Sequence, residues 1–185
     1  LRANPLRGGV EAGTEPGLEA TAYFGPESVS TANGVHTMVV EVDRETLNTK
    51  ILRYVVVHDC GRLINPALVT GQIHGGTAQG IGQALTESII YNDEGQLLTG
   101  SLLDYAVLNA EMMPEMVLDT IVTPSPTNPL GAKGIGSVAT VPAPAAVANA
   151  VLNALSNLGV RHMDTPLTSE KVWRAIQQAS AKDGV

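Results

Sequence analysis

The chain is poor in cysteine, in aromatic rings and in positive charge. Its single cysteine, Cys60, excludes an internal disulfide framework and fits a reducing compartment, so a cytoplasmic location is expected. Lys and Arg number 11 against 18 Asp and Glu, a net charge of -7, which argues against the basic footprint of a nucleic-acid surface. Aromatics make up 3% of the chain while glycines number 19, a balance that favours close backbone packing over a cage of rings. No apolar run is long enough to span a membrane, and no signal-peptide pattern is visible. Internal repeats and low-complexity tracts are missing too. With 185 residues and ample apolar content, the chain suits one domain or one large piece of a domain. It begins at Leu1 and not at methionine, so a fragment or trimmed product is expected.

The most distinctive stretch runs from Thr123 to Ala139, TPSPTNPLGAKGIGSVA. Pro124, Pro126 and Pro129 keep the chain out of a regular ladder. Gly131, Gly134 and Gly136 then alternate with Ala132, Lys133 and Ile135. Glycine admits positive φ and lets a ligand approach the main chain. A helix is expected from Pro144, and N–H groups beside a helix N-terminus attract anions, with Lys133 adding a positive charge. Two readings are open: a rigid, basic, anion-friendly loop, or a plain connection between a strand and a helix.

Around this loop the pattern predicts an α+β fold with a small mixed or antiparallel sheet packed with helices. Residues 1–33 have no clear period and read as an extended lead-in. Val35–Val42 alternates, with His36, Met38, Val40 and Val42 on one side, and predicts a strand. Ile51–His58 predicts its antiparallel partner, covered on both faces at Val55–Val57. The consecutive His58, Asp59 and Cys60 point to alternating faces, so they read as a strand end with a buried thiol and not as a metal cluster; no metal ligands are assigned. Asn65-Pro66 caps a long helix expected to reach about Ile89. Leu68, Gly71, Gly75, Ala78, Gly82, Leu85 and Ile89 form a stripe with a small-residue middle, open to another backbone or a flat ligand. Gln72, Gln79 and Gln83 flank it; Gln72 and Gln83 read as solvated. Tyr91–Gly100 is a turn, and Ser101–Asn109 a short helix or an irregular crossing. A third strand follows at Met116–Val122, a helix at Pro144–Leu158 ended by Gly159, and a last helix capped by Thr168 that buries Val172, Trp173 and Ile176.

Against named chemistries the loop is selective. It lacks the Gly-Lys-Ser/Thr of a Walker loop, and Ser137 is not in a Gly-x-Ser-x-Gly setting. Gly134-Ile-Gly136-Ser-Val-Ala139 meets the loose dinucleotide pattern, but three prolines separate it from its strand.

From Pro16 to Ile176 the sequence resembles the C-terminal part of the molybdenum hydroxylase large subunit, the xanthine dehydrogenase, aldehyde oxidase and carbon monoxide dehydrogenase family. The matching stretches include PGLEATAYFGPE, VVVHDCGRLINPALVTGQIHGGTAQGIGQAL, GQLLTGSLLDYAV and TPSPTNPLGAKGIG. The resemblance implies that residues 34–185 are the C-terminal portion of a molybdenum-cofactor-binding domain. It implies a molybdenum–pyranopterin cofactor, as molybdopterin or its cytosine dinucleotide form, and an oxidoreductase activity. It also implies three partners: the missing N-terminal half of the molybdenum subunit, an iron–sulfur subunit and an FAD subunit. By the same resemblance Gln79 and Gly80 carry the family's cofactor-binding QGxG, and Lys133, Gly134, Ile135 and Gly136 its KGxG. The two segments should then converge around one cofactor.

Ser137 departs from the pattern. It stands where the family carries a catalytic glutamate, so a serine hydroxyl replaces the base. The chain is expected to be a fragment or split subunit contributing one side of a cofactor site, inactive as an isolated chain and prone to self-association along the Gly/Ala stripe. The alternative is a non-catalytic binding or assembly module with the same fold.

Overall fold

The computed structural model describes residues 20–26 and 28–183. Most of the expected lead-in, residues 1–19 and 27, therefore lies outside the described residues; the remainder up to residue 32 forms no helix or strand.

Strand β1 (Asn33–Val42) pairs antiparallel with β2 (Thr49–Asp59), which pairs parallel with β3 (Met116–Thr120), giving a mixed sheet of order β1-β2-β3. The hairpin follows from alternation: even-numbered residues of β1 are half-buried and odd-numbered ones exposed. Its turn is set by Asp43, whose carboxylate accepts the Glu45 and Thr46 N–H groups at 3.0 and 2.7 Å. Register slips between Val39 and Val40, where Leu52 is the extra residue in β2. Strand β3 stops at Thr120, two residues short of the expected end. Parallel pairing requires a crossover, and the segment carrying α1 (Pro66–Leu85) supplies it.

Helix α1 starts as its sequence predicts: Asn65 accepts the Leu68 N–H at 3.2 Å and Pro66 takes the first turn. It ends at Leu85 and not near Ile89, because the Thr86 and Glu87 N–H groups both turn back to the Gly82 carbonyl, at 2.9 and 2.8 Å. Helix α2 (Pro142–Ala154) lies on β1 and against α1, and α3 (Ser169–Asp183) closes the fold. Gly159 adopts φ 79° behind the single turn Ser156–Leu158 and ends the helical run. The core gathers Tyr54, Val56, Ile73, Ile81, Val147, Val151 and Val172.

The small-residue stripe of α1 is open in its first half, where Gly71 and Gly75 are exposed with open space where a Cβ would stand, and buried at Gly82 and Leu85. The helix packs through Ile73, Gly76, Thr77, Gly80 and Ile81. A Cβ on Gly80 would stand 2.5 Å from Ala143 Cβ and 2.9 Å from Pro144 Cδ, so a bare α-carbon is what lets α2 approach. Two expectations are corrected. First, β2 is covered on one face only. Val56 is fully buried, whereas Val35, Val39 and Val117 on the opposite face are exposed, with Val55 and Val57 half-buried. Second, Trp173 is 54% exposed and does not join the core. Among the described residues no helix is long and apolar enough to cross a membrane.

The two classes of helix glycine should respond oppositely to the same substitution. Gly80→Ala should destabilise the fold by about 1–3 kcal/mol through overpacking. Gly75→Ala should leave it unchanged or stabilise it by up to about 1 kcal/mol, from helix propensity alone. Denaturant titration reads both; equal responses would contradict this packing face.

Candidate functional site

Strand β2 delivers Asp59 and Cys60 to the rim of the sheet, where the proline–glycine loop meets it. Gly61 reverses the chain at φ 65° and pairs with Ala132 of the loop. A side chain there would collide with the Gly131 carbonyl, so this position requires glycine on both counts. The Gly131 carbonyl accepts N–H bonds from Arg62 and Ser125, each at 3.0 Å. The Asn128 side chain acts as a short strand partner, donating to the Ala132 carbonyl at 2.9 Å and accepting its N–H at 3.3 Å.

Asp59 ties these pieces together. Its Oδ1 accepts the Gly61 N–H at 2.8 Å and the Thr123 N–H at 3.2 Å. Its Oδ2 lies 3.1 Å from Lys133 Nζ, with the two side chains only 11% and 9% exposed. Burial alone would raise the Asp59 pKa. The Gly61 and Thr123 donors and the Lys133 ammonium outweigh it and hold the carboxyl well below the usual carboxylate range. The Lys133 N–H also bonds the Cys60 carbonyl at 2.8 Å. Lys133 is therefore turned inward, and its charge is matched by Asp59. It does not make the loop basic, as its place among the glycines suggested.

Cys60 is 2% exposed and burial pushes its thiol pKa up, which suits an inert core thiol. His58 shares a 3.1 Å hydrogen bond with the Thr120 hydroxyl, and burial lowers its pKa against the opposing charges of Asp59 and Asp119. Neither residue joins a metal cluster: among the described residues no three His, Cys, Asp or Glu side chains converge on one point.

Beyond Lys133 the loop changes character. Ile135 packs against the core, while Gly134, Gly136 and Ser137 are exposed, with open space beside both glycines. No described residue accepts a hydrogen bond from the N–H groups of residues 134–137. Val138 then packs close to Gly34 of β1, and Ala139 is fully buried. The helix that follows begins at Pro142, not Pro144, and both prolines lack an N–H. The donors for an anion at this end therefore come from the loop more than from the helix terminus. His36 Nδ1 lies 2.8 Å from the Tyr54 hydroxyl. Burial lowers the His36 pKa, and the Val138 backbone, outside hydrogen-bonding geometry, opposes this weakly.

Gln79 is exposed on α1, between Gly76 and Gly80, which meet Ala139, Thr140 and Ala143 just past the loop. Gly80, expected at the cofactor, is itself buried beneath Ala143 and Pro144. Further along α1, Val69 and Gln72 face Lys133 and Ile135 across a recess of about 230 Å³.

The fold that carries this geometry is similar to that of known proteins. The model of the molybdopterin cofactor-binding domain matches residues 5–114. The chain belongs to that family. Its relatives include the carbon monoxide dehydrogenase large chain of Hydrogenophaga pseudoflava, 39% identical over 90% of this chain and 21% of that protein. They also include the nicotine 6-hydroxylase large subunit of Paenarthrobacter nicotinovorans, 43% identical over 90% of this chain and 20% of that protein. Among solved structures, quinoline 2-oxidoreductase from Pseudomonas putida 86 superposes with a TM-score of 0.86 at 44% identity, covering 91% of this chain and 21% of that one. The chain thus spans about a fifth of the length of the relatives it matches. The family model stops short of the proline–glycine loop, whereas the relatives' match takes in most of the chain.

Sequence reading took Asp59 as part of a strand end and missed its pairing with Lys133. What marked it was an acid closing an apolar strand directly before a glycine turn, with a lysine in a second glycine-rich segment. Because its pKa is depressed in the fold, its contribution is present above the unfolded carboxylate pKa of about 3.9 and is lost as pH falls toward the folded value. Asp59→Asn should destabilise by about 2 kcal/mol near neutral pH, leaving Lys133 unpaired. The gap to wild type should be constant above about pH 5 and narrow below about pH 3.9. Denaturation midpoints across that range test it; a gap that widens on acidification would refute the assignment.

Proposed function

We propose that this chain supplies one side of a molybdenum–pterin cofactor site in the large subunit of an oxidoreductase. The remainder of that subunit would complete the site, with iron–sulfur and FAD subunits carrying electrons away. The observation that carries this reading is the exposed backbone of Gly134–Ser137, whose N–H groups find no acceptor among the described residues. Free N–H donors without side-chain cover fit the polar ring and phosphate of a pterin group, and the exposed Gln79 amide offers a further donor and acceptor. Lys133 and Gly80 fit it only indirectly, one held by Asp59 and the other under α2. When bound, the cofactor supplies the redox chemistry. This chain's own residues orient it and present the Ser137 hydroxyl beside it.

The uncovered sheet face at Val35, Val39 and Val117 supports completion by more protein. So do Leu102 and Leu103, 83% and 93% exposed in the segment after α1. These surfaces, and not the Gly/Ala stripe alone, are where an isolated chain would self-associate.

Ser137 favours a second reading, a non-catalytic module with the same fold. Its hydroxyl is exposed and has no hydrogen-bond partner among the described residues. A carboxylate can be tuned to hold a proton near neutral pH, and an unassisted serine hydroxyl cannot. In the complete subunit, Ser137→Glu should raise turnover by roughly 10²–10⁴-fold with molybdenum and pterin content unchanged. Equal, fast turnover in both proteins would place the base elsewhere. Absence of molybdenum and pterin from both would favour the non-catalytic module.

A further inference from the structure

The cofactor-facing half of the loop, Gly134–Ser137, donates no backbone hydrogen bond to any described residue. Its far side is held by Ile135 against the core and by the Ser137 carbonyl, which accepts the Val141 N–H at 3.1 Å; its near side is held from its base. Three ties reach the base from the end of β2 and the turn after it: the Lys133 N–H to the Cys60 carbonyl, the Arg62 N–H to the Gly131 carbonyl, and the Asp59–Lys133 ion pair. The first two fix height along the strand. The ion pair alone engages a side chain of the loop, and it does so across 74 residues of sequence.

Lys133 also lines two hollows. One is the recess of about 230 Å³ shared with Val69 and Gln72. The other is an apolar hollow of about 640 Å³ lined by Phe24, Val29, Thr127 and Leu130. A side chain free to swing into either would carry the loop backbone with it. The bare α-carbon of Gly61 leaves the stem its path, since a Cβ there would lie 3.3 Å from Lys133 Cγ. A buried ion pair is a weak source of net stability compared with an apolar pair of the same shape, so stability does not by itself account for it. Direction does, because a carboxylate that already accepts two backbone N–H groups offers the ammonium one remaining oxygen.

We propose that Asp59 is a positioning residue for the cofactor-facing loop, acting through Lys133 to hold the near side of Gly134–Ser137. This rests on the cofactor reading above only for what the loop holds; the clamp itself is independent of it.

The test uses the assembled subunit and hydrogen–deuterium exchange by mass spectrometry. Peptides covering Gly61–Arg62 and Ser125–Lys133 report on the clamp, and α2 serves as an internal reference. The double variant Asp59→Asn with Lys133→Met removes both charges while keeping shape, so no charge is left buried and unpaired. Exchange in the two clamp peptides should rise about tenfold or more, with α2 unchanged. Lys133→Arg, which retains the pair, should stay within about threefold of wild type. Wild-type exchange in the double variant overturns the proposal. Retained molybdenum and pterin is measured in parallel, with Gly136→Val as a direct block of the loop surface. Lower retention in both the double variant and Gly136→Val supports the proposal. Lower retention in Gly136→Val alone overturns the positioning role and leaves the cofactor reading standing. Full retention in Gly136→Val overturns the cofactor reading, and with it the purpose given to the clamp.

Discussion

One carboxylate governs the end of the sheet where the proline–glycine loop meets it. Asp59 closes the central strand, caps the turn at Gly61, receives the first residue of the proline-rich loop at Thr123 and faces the ammonium of Lys133. It thus joins the end of β2 and the turn after it to two points of the loop, just past the last pairing of the β2–β3 ladder. Beyond that ladder and the Ile121 N–H bond to the His58 carbonyl, the strand end and the loop otherwise meet through the short bridge at Gly61 and Ala132. The low pKa of Asp59 is the thermodynamic face of this convergence, since each donor favours the ionised form over the protonated one.

The loop consequently has two halves of opposite physics. Up to Lys133 the chain is over-determined by prolines, by Asn128 and by the Gly131 carbonyl that serves two donors. From Gly134 to Ser137 the backbone donors find no acceptor among the described residues, and Ile135 alone of these four reaches inward. A ligand meeting this surface meets dipoles without a net charge. That arrangement discriminates by shape and hydrogen bonding more than by long-range attraction.

Local features were legible in the sequence and distant ones were not. The hairpin, the Asn65-Pro66 helix start and the Gly159 stop each depend on a few neighbouring residues with fixed chemistry, and each stands where it was read. The packing face of α1 was not legible because glycines lie on several of its faces; which of them is covered depends on Ala143 and Pro144, far along the chain. Its early end depends on two N–H groups competing for one carbonyl, a geometric event with no strong residue signature. Lys133 was noticed for its charge, but its partner lies in another element, and no local pattern announces such a pair. The covering of β2 was overestimated because a run of valines reports that a strand is to be buried without saying by which polypeptide.

The register slip at Leu52 has a consequence for how that bare valine face can exist at all. An extra residue in one strand bends and over-twists the ladder it belongs to. Strand β1 lies at the border of the sheet, so the twist is passed to the outermost row of free backbone groups. A warped border is a poor template for a foreign strand, which needs a flat run of matching donors and acceptors to stack in register. At the β1 border the molecule can therefore expose an apolar sheet face while offering a poor seam for a foreign strand.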